Sequence, residues 1–300
     1  MLRPRVGHIQ FINCLPLYYG LVHNNVLLDV ELIKGTPTEL NALLLDGQLD
    51  ISPISSIEYC RNYKDLMLLP NLAVAADGEV KSILFVGKVP IEKMDGRTVA
   101  LTNTSATSQA LTRIILRDKY KVSPRYFVCP PDLSEMLMEA DGALLIGDDA
   151  LRALYNPPEG LYLYDLGKEW KELTGRRMVF AVWAVRRIFA AENPELVREA
   201  YRGFLKSMAY SIERVDEIAT AASRWEAFDA AFMRQYFMSL KFDLDDAYQQ
   251  DLLAYASRAH ELGFIPEMPR LEFVEVDKGS WQFDEIVQPM ERESKGWQLG

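Results

Sequence analysis

The chain has 300 residues, 49% of them hydrophobic, and a formal net charge of −10 at pH 7. This length and composition predict a soluble globular protein with one large domain or two of ordinary size. The acidic balance and the lack of a dense Lys/Arg patch argue against nucleic acid as a partner. No segment has the length and hydrophobicity of a signal peptide or a membrane span, so we expect a cytoplasmic protein without membrane contact.

The first part of the chain alternates between strand-like and helix-like segments. Apolar runs predict strands, and helical spacing of apolar residues predicts helices, in this order: strand 5–11, helix 16–23, strand 30–34, helix 37–45, strand 49–52 and helix 57–62. Alternation of this kind predicts parallel sheets with helices packed on their faces.

A second series of strands and helices follows a break in the pattern. The strand at 81–86 is followed by Pro90 and Gly96, which punctuate the chain before the new series begins at residue 97. Its elements are strand 97–102, a helix that follows the hydroxyl residues at 104–105 and includes 110–115, strand 125–129, helix 133–138 and strand 143–146. The apolar run 177–185 is long enough to return to the first unit. We therefore expect two α/β lobes, with lobe I at 1–88 and 185–300 and lobe II at 89–184.

The last third of the chain has a helical pattern. Asn193 is a natural N-cap, and Gly263 and Pro266 end the last clear helix. We expect a helical C-terminal region up to about residue 263 and a poorly ordered end of the charged tail, 277–300.

The segment 100–108 is the most informative motif. Its strand-like residues stop in a run of hydroxyl residues, where Thr104 or Ser105 is a natural N-cap for the helix that follows. With Asn103 and Thr107, these residues surround N–H groups at the positive end of a helix dipole, an arrangement that suits a carboxylate or phosphate. The alternative is that the hydroxyl residues only cap the helix.

A second turn of the same kind favours the anion site. An apolar strand runs into Ser55 and Ser56 and then into a helical segment. Ligands of open α/β sheets bind beyond the carboxyl ends of the strands, so the two turns predict two walls of one cleft. Two α/β lobes around such a cleft are typical of the type II periplasmic-binding-protein fold.

Two further polar positions follow predicted strands. Asn13 lies just past the first strand, where its amide could donate and accept hydrogen bonds in the cleft, although it could also be an ordinary turn asparagine. Asp148 and Asp149 follow an apolar strand, and N-capping is the favoured interpretation for this pair. The alternative is that the pair accepts a hydrogen bond from a ligand hydroxyl.

Metal or thiol chemistry receives little support. The three histidines are scattered and no dinucleotide glycine fingerprint is present, so we expect neither a metal nor an organic cofactor. Cys14, Cys60 and Cys129 are odd in number and widely spaced, as in reduced cytoplasmic proteins. Catalysis through Cys14 would need one of the nearby histidines, and plain packing is the more common role for such a cysteine.

Five segments carry a specific resemblance. They are FINCLPLYYG (11–20), DISPISSIEY (50–59), DGEVKSIL (77–84), VALTNTSATS (99–108) and ALLIGDDA (143–150). In this order they resemble the chorismate dehydratases of the futalosine route to menaquinone, over about residues 5–275. The first block of that family usually contains Tyr-Leu-Asn-Thr-Leu-Pro, so this chain keeps Asn13 and has Cys14 where a threonine is usual.

The resemblance implies the type II periplasmic-binding-protein fold and a lyase reaction that removes water from chorismate to give 3-[(1-carboxyvinyl)oxy]benzoate. We expect Asn13 and Ser82 to carry catalysis through hydrogen bonds. We expect the substrate to be bound by Ser55, Ser56, Asn103, Thr104, Ser105, Thr107, Gly147 and Asp148. Two alternatives stay open: a cytosolic binding or sensing protein for a small dicarboxylate, and the related 1,4-dihydroxy-6-naphthoate synthase.

Overall fold

The protein is described here by a computed structural model of residues 2–23 and 29–276, in which helices surround two β-sheets. The first sheet within these residues has six strands: β1 Arg5–Ile9, β2 Glu31–Gly35, β3 Ile51–Ser55, β4 Leu66–Ala76, β10 Met178–Arg186 and β11 Leu240–Lys241. Their order across the sheet is β11-β4-β10-β3-β1-β2. Strand β1 runs parallel to β2 and β3, whereas β10 runs antiparallel to β3 and β4.

The second sheet of the described chain has five strands: β5 Ile83–Gly87, β6 Thr98–Thr102, β7 Arg125–Cys129, β8 Gly142–Ile146 and β9 Tyr162–Asp165. Their order is β7-β6-β8-β5-β9. Strand β6 is parallel to β7 and β8, and β5 is antiparallel to β8 and β9. Each sheet therefore has a parallel part that carries the predicted strand-to-helix turns.

Twelve α-helices lie within the described residues: α1 Leu15–His23, α2 Pro37–Leu45, α3 Ser56–Asn62, α4 Ala106–Asp118, α5 Leu133–Glu139, α6 Gly147–Tyr155, α7 Leu166–Thr174, α8 Arg187–Glu192, α9 Pro194–Ile212, α10 Val215–Ala222, α11 Ala230–Ser239 and α12 Asp246–Glu261. Local sequence explains several of their ends. Helix α2 begins in a capping box, in which the Thr36 hydroxyl accepts from the Glu39 N–H and the Glu39 carboxylate accepts from the Thr36 N–H. None of the helices in the described ranges is long and apolar enough to cross a membrane.

The α/β class and the helical C-terminal region are confirmed. The predicted elements occur in the predicted order, but β4, β9 and α7 were not predicted, and the sheets change earlier in the chain than the predicted lobe boundaries. Strand β5 ends at Gly87 and pairs only with strands of the second sheet, although it was expected in lobe I. Strand β10 starts at Met178 and pairs with the first sheet, although it was expected in lobe II. The chain therefore passes between the sheets before Ile83 and again before Met178.

The C-terminal helices are attached firmly to the first lobe. Helix α9 packs along α1, and a Cβ atom at Gly20 would lie 2.4 Å from the Ser207 carbonyl oxygen, so glycine permits this close approach. The Gly20 N–H also donates to the Ser211 hydroxyl at 3.2 Å. Helix α11 leads into β11, which pairs with the end of β4. The prediction for the tail, 277–300, lies outside the described residues.

Candidate active site

The starts of helices α3 and α4 meet where the two lobes touch. The Ile57 N–H in the first turn of α3 donates to the Thr107 hydroxyl of α4 at 3.2 Å. The Thr107 carbonyl accepts from the Tyr255 hydroxyl at 3.1 Å, and the Thr107 side chain is fully buried. The two predicted walls therefore form one junction, and in this arrangement the Thr107 hydroxyl bridges the lobes.

Ser55 has a hydroxyl that is oriented by a buried amide. The Asn41 Nδ2 donates to the Ser55 Oγ at 3.1 Å, and the Asn41 Oδ1 accepts from the Ser55 N–H at 3.1 Å. Both side chains are buried. Because the Ser55 Oγ accepts from the amide, its own proton is available to a ligand.

Three other predicted binding residues have hydroxyls that are engaged within the protein. The Ser56 hydroxyl donates to the Val179 carbonyl of β10 at 2.8 Å. The Ser105 hydroxyl caps α4 by accepting from the Ser108 N–H at 3.3 Å, and it donates to the Ser108 hydroxyl at 2.9 Å. The Thr104 hydroxyl lies 2.7 Å from that of Thr102. The predicted cap at Ser105 is confirmed, and its contact with a substrate stays a prediction.

Asn103 lies at the outer end of the same junction. Its side chain is exposed, and its backbone carbonyl accepts from the Thr38 hydroxyl of α2 at 2.9 Å. This is a second direct hydrogen bond between the lobes. The residue is therefore placed at the edge of the cleft rather than deep inside it.

Asp148 connects the lobes at a third point. Its Oδ1 accepts from the Ile12 N–H at 3.1 Å, immediately before Asn13 in the short 3-10 turn Ile12–Cys14. The favoured N-capping interpretation is wrong, because the N-cap of α6 is Ile146 and no side chain caps it. Burial raises the pKa of Asp148 to about 6, and the Ile12 N–H opposes this change. Asp149 instead pairs with Arg152 at 2.7 Å.

Gly147 permits the close contact beside Asp148. Its φ of +58° lies in the left-handed region, and an added Cβ would lie 3.1 Å from the Phe11 ring. Phe11 directly precedes the turn that carries Asn13. Among the described residues, the buried Asn13 Oδ1 has no hydrogen-bond partner. An unpaired buried carbonyl is costly, and a ligand at Asn13 would remove this cost; its contact with a substrate stays a prediction.

Ser82 is held at the junction by hydrogen bonds of the segment that connects the two sheets. The partly buried Asp165 carboxylate accepts from the Val80 N–H at 3.0 Å and the Lys81 N–H at 2.6 Å, and it also caps α7. The Ser82 carbonyl accepts from the Gly147 N–H at 2.8 Å. These contacts place the buried Ser82 side chain beside the start of α6.

Cys14 lies next to the same site but is not activated. Burial, followed by the charge of Asp148, raises the pKa of the Cys14 thiol to about 12, so the thiol stays protonated at neutral pH. The packing interpretation of Cys14 is therefore favoured. No group of three or more His, Cys, Asp or Glu residues within the described ranges is arranged to hold a metal ion.

Sequence reasoning missed three residues of the junction. Asn41 lies on the buried face of α2, Asp165 caps α7, and Tyr236 lies on the buried face of α11. Only Asp165 had a local signal, because an aspartate before a helical segment is a common N-cap. Asn41 and Tyr236 are indistinguishable from ordinary helix residues until the fold brings them to the junction.

The family model for menaquinone biosynthesis matches residues 4–261 of this chain. A curated chorismate dehydratase from Thermus thermophilus is 32% identical over 286 residues, which cover 88% of this chain and 98% of that protein. A second, from Campylobacter jejuni, is 31% identical over 206 residues, covering 67% of this chain and 74% of that protein.

Solved structures agree on the fold. A protein from Archaeoglobus fulgidus superposes with a TM-score of 0.72 at 21% identity, covering 88% of this chain and 98% of that protein. The periplasmic aliphatic sulphonate binding protein from Escherichia coli gives a TM-score of 0.65 at 12% identity, covering 93% and 95%. The predicted periplasmic-binding-protein-like fold is confirmed, and the chain belongs to the menaquinone biosynthesis family.

Proposed function

We propose that this protein is a chorismate dehydratase, a carbon–oxygen lyase that releases water and 3-[(1-carboxyvinyl)oxy]benzoate. The observation that carries the proposal is the 32% identity to a curated chorismate dehydratase over 98% of that protein. The site is compatible with this chemistry, because buried polar groups from both lobes surround a junction beyond the strand ends.

The proposed reaction begins at the ring hydrogen on carbon 3, which is acidified through the conjugated ring carboxylate. The enolpyruvyl carboxylate of the substrate takes this proton, and the electron pair of the C–H bond moves into the ring. The C4–O bond then breaks, its electron pair leaves with oxygen, and the same carboxylate returns the proton. One water is formed, the ring becomes aromatic, and the protein undergoes no net change.

In this proposal the protein supplies positioning and hydrogen bonds rather than a strong base. Asn13 would orient the enolpyruvyl group over carbon 3 by donating hydrogen bonds from its Nδ2, because that group carries only acceptors, and Ser82 would assist the departing hydroxyl. Interactions made mainly in the transition state raise kcat rather than affinity. We therefore assign catalysis to this pair.

The other predicted residues would hold the two carboxylates and the edge of the ring. Ser55 supports this role best, because Asn41 leaves its proton available. The first turn of α4, with Ser105 and Thr107, offers the positive end of a 13-residue helix to a carboxylate. A ligand would replace or extend the present hydrogen bonds of these two hydroxyls. Asp148 would fix the turn before Asn13.

We propose that the reaction needs no metal or organic cofactor and takes place in the cytoplasm. The free state of all three cysteines supports a reducing compartment. The substrate itself supplies the acid–base group of the proposed mechanism, and loss of water involves no net oxidation or reduction, so the reaction requires no redox partner.

The test is incubation of purified, chelator-treated protein with chorismate, followed by mass spectrometry. Formation of the aromatic enol ether at a rate proportional to protein concentration is expected. Recovery of unchanged chorismate from a tight complex would favour a binding or sensing protein instead. Turnover of the cyclic futalosine-derived compound alone would identify a naphthoate synthase.

A further inference from the structure

Tyr236 of α11 has a fully buried phenol to which the proposed mechanism assigns no role. The hydroxyl has no partner in hydrogen-bond geometry among the described residues, although the Ser82 side chain lies beside it. Asp148 and Cys14 are also close enough to act on it electrostatically. Tyr236 therefore reaches the lobe junction from the C-terminal region, next to both predicted catalytic segments.

Other buried tyrosines show what a purely structural hydroxyl does in this protein. The Tyr18 hydroxyl donates to the Gly7 carbonyl at 3.0 Å, and that of Tyr59 donates to the Arg270 carbonyl at 2.9 Å. A buried tyrosine usually has such a partner, because leaving its hydroxyl unpaired costs free energy that phenylalanine would avoid. The unpaired hydroxyl of Tyr236 thus requires an explanation beyond packing.

The neighbouring site contains a complementary group. The buried Asn13 Oδ1 also lacks a hydrogen-bond partner among the described residues. Asn13 is followed in the chain by Cys14, which lies near the Tyr236 phenol. An alcohol can donate one hydrogen bond and accept another, so a single hydroxyl between these residues could satisfy both. Chorismate carries one alcohol, the group at carbon 4 that leaves as water.

We propose that Tyr236 is a further catalytic residue, whose O–H donates a hydrogen bond to the carbon 4 hydroxyl of chorismate. The inference rests on the proposed function and deepens it. The hydrogen bond strengthens as negative charge develops on the departing oxygen, while the proton that completes water still comes from the substrate carboxylate. Tyr236 keeps its own proton throughout, so the atom balance of the reaction is unchanged.

The electrostatics of the site support a donor that stays protonated. Burial raises the pKa of Tyr236 above its usual range, and the charge of Asp148 acts in the same direction, while the Ser82 hydroxyl opposes them. A phenol whose pKa is raised above its usual value of about 10 is neutral near pH 7. It can therefore donate a hydrogen bond without competing with the substrate carboxylate as a base.

The test compares Tyr236→Phe with the control Tyr59→Phe. The control also removes a buried tyrosine hydroxyl, but this hydroxyl, on α3, donates to the Arg270 carbonyl. Three quantities are measured: kcat on chorismate, the dissociation constant of the aromatic product, and the thermal midpoint. The product lacks the carbon 4 hydroxyl. Tyr236→Phe should therefore lose about 100-fold in kcat and keep wild-type product affinity.

The control should keep its kcat and show a lower thermal midpoint, because it loses the hydrogen bond that the Tyr59 hydroxyl donates to the Arg270 carbonyl and the one that it accepts from the Glu272 N–H. If Tyr236→Phe retains at least half of the wild-type kcat, or loses product affinity in proportion to kcat, the assignment of Tyr236 is overturned while the proposed function stands. If the wild-type protein does not convert chorismate, the proposed function fails and the assignment fails with it.

Discussion

The side-chain amide of Asn41 makes two hydrogen bonds to Ser55. Its Nδ2 donates to the Ser55 Oγ at 3.1 Å, and its Oδ1 accepts from the Ser55 N–H at 3.1 Å. The pair lies at the carboxyl end of β3, where the chain enters α3. This arrangement fixes the direction of the Ser55 hydroxyl before any ligand binds, and it costs no further ordering on binding.

Asn41→Ala should therefore impair binding through Ser55. Truncation leaves the buried Ser55 N–H unpaired and costs about 1–3 kcal/mol of stability. We expect KM for chorismate to rise by roughly ten-fold, with a smaller effect on kcat. In a double-mutant cycle, Asn41→Ala should add little to the KM of Ser55→Ala, because both changes remove one interaction. Additive effects on KM would show that Asn41 does not act through Ser55.

Asp148→Asn should change the pH dependence of stability. Because the pKa of Asp148 is raised to about 6 from 3.8, the folded protein binds this proton more tightly than the unfolded chain. Its contribution to the unfolding free energy therefore falls as pH rises from about 4 to about 6 and stays low above that range. Relative to wild type, Asp148→Asn should gain more stability at about pH 7.5 than at about pH 4.5.

Chemical denaturation at these two pH values measures the effect. Burial lowers the pKa of His8 to about 4, so this residue makes the protein less stable as pH falls. Only the difference in unfolding free energy between variant and wild type therefore isolates the effect of Asp148. Asp149→Asn is the matched control, since Asp149 lies beside Asp148 but pairs with Arg152 at the surface. An equal stability difference at both pH values would show that the Asp148 carboxylate is not perturbed.

Gly147→Ala should disturb the contact between the lobes. The new Cβ costs about 1–2 kcal/mol in a left-handed backbone and would also push the Phe11 ring, 3.1 Å away. Gly160→Ala is the matched control, because Gly160 has a similar φ of +75° and open space around it. Both variants should lose stability, and only Gly147→Ala should raise KM for chorismate. A raised KM in both variants would show that the contact between residue 147 and Phe11 is not the cause of the effect on KM.

The sequence was sufficient for features that depend on neighbouring residues. Helix α4 begins at the predicted Ser105 cap, because capping is decided within one turn. The sequence did not predict which sheet each strand joins. Strand β5 belongs to the second sheet because it pairs with β8 and β9, which come later in the chain. The role of Asp148 was misread for the same reason, since its partner Ile12 is 136 residues away.

The polar residues of the junction could be predicted from the sequence only in part. Asn13 and Ser82 were predicted as site residues because their places beside strands and the family resemblance pointed to them. Tyr236 has the spacing of a core residue, and only the tertiary structure brings its hydroxyl beside Ser82. Pattern alone cannot separate a buried aromatic that packs from one that also presents a polar group.

The proposed function places the dehydration of chorismate at the junction of the lobes, on Asn13 and Ser82. The decisive measurement is the steady-state kinetics of Asn13→Ala and Ser82→Ala, with the product dissociation constant determined on the same preparations. Each variant should lose roughly 100-fold or more in kcat while it still binds the product. Variants that keep the wild-type kcat and lose only affinity would contradict this proposal.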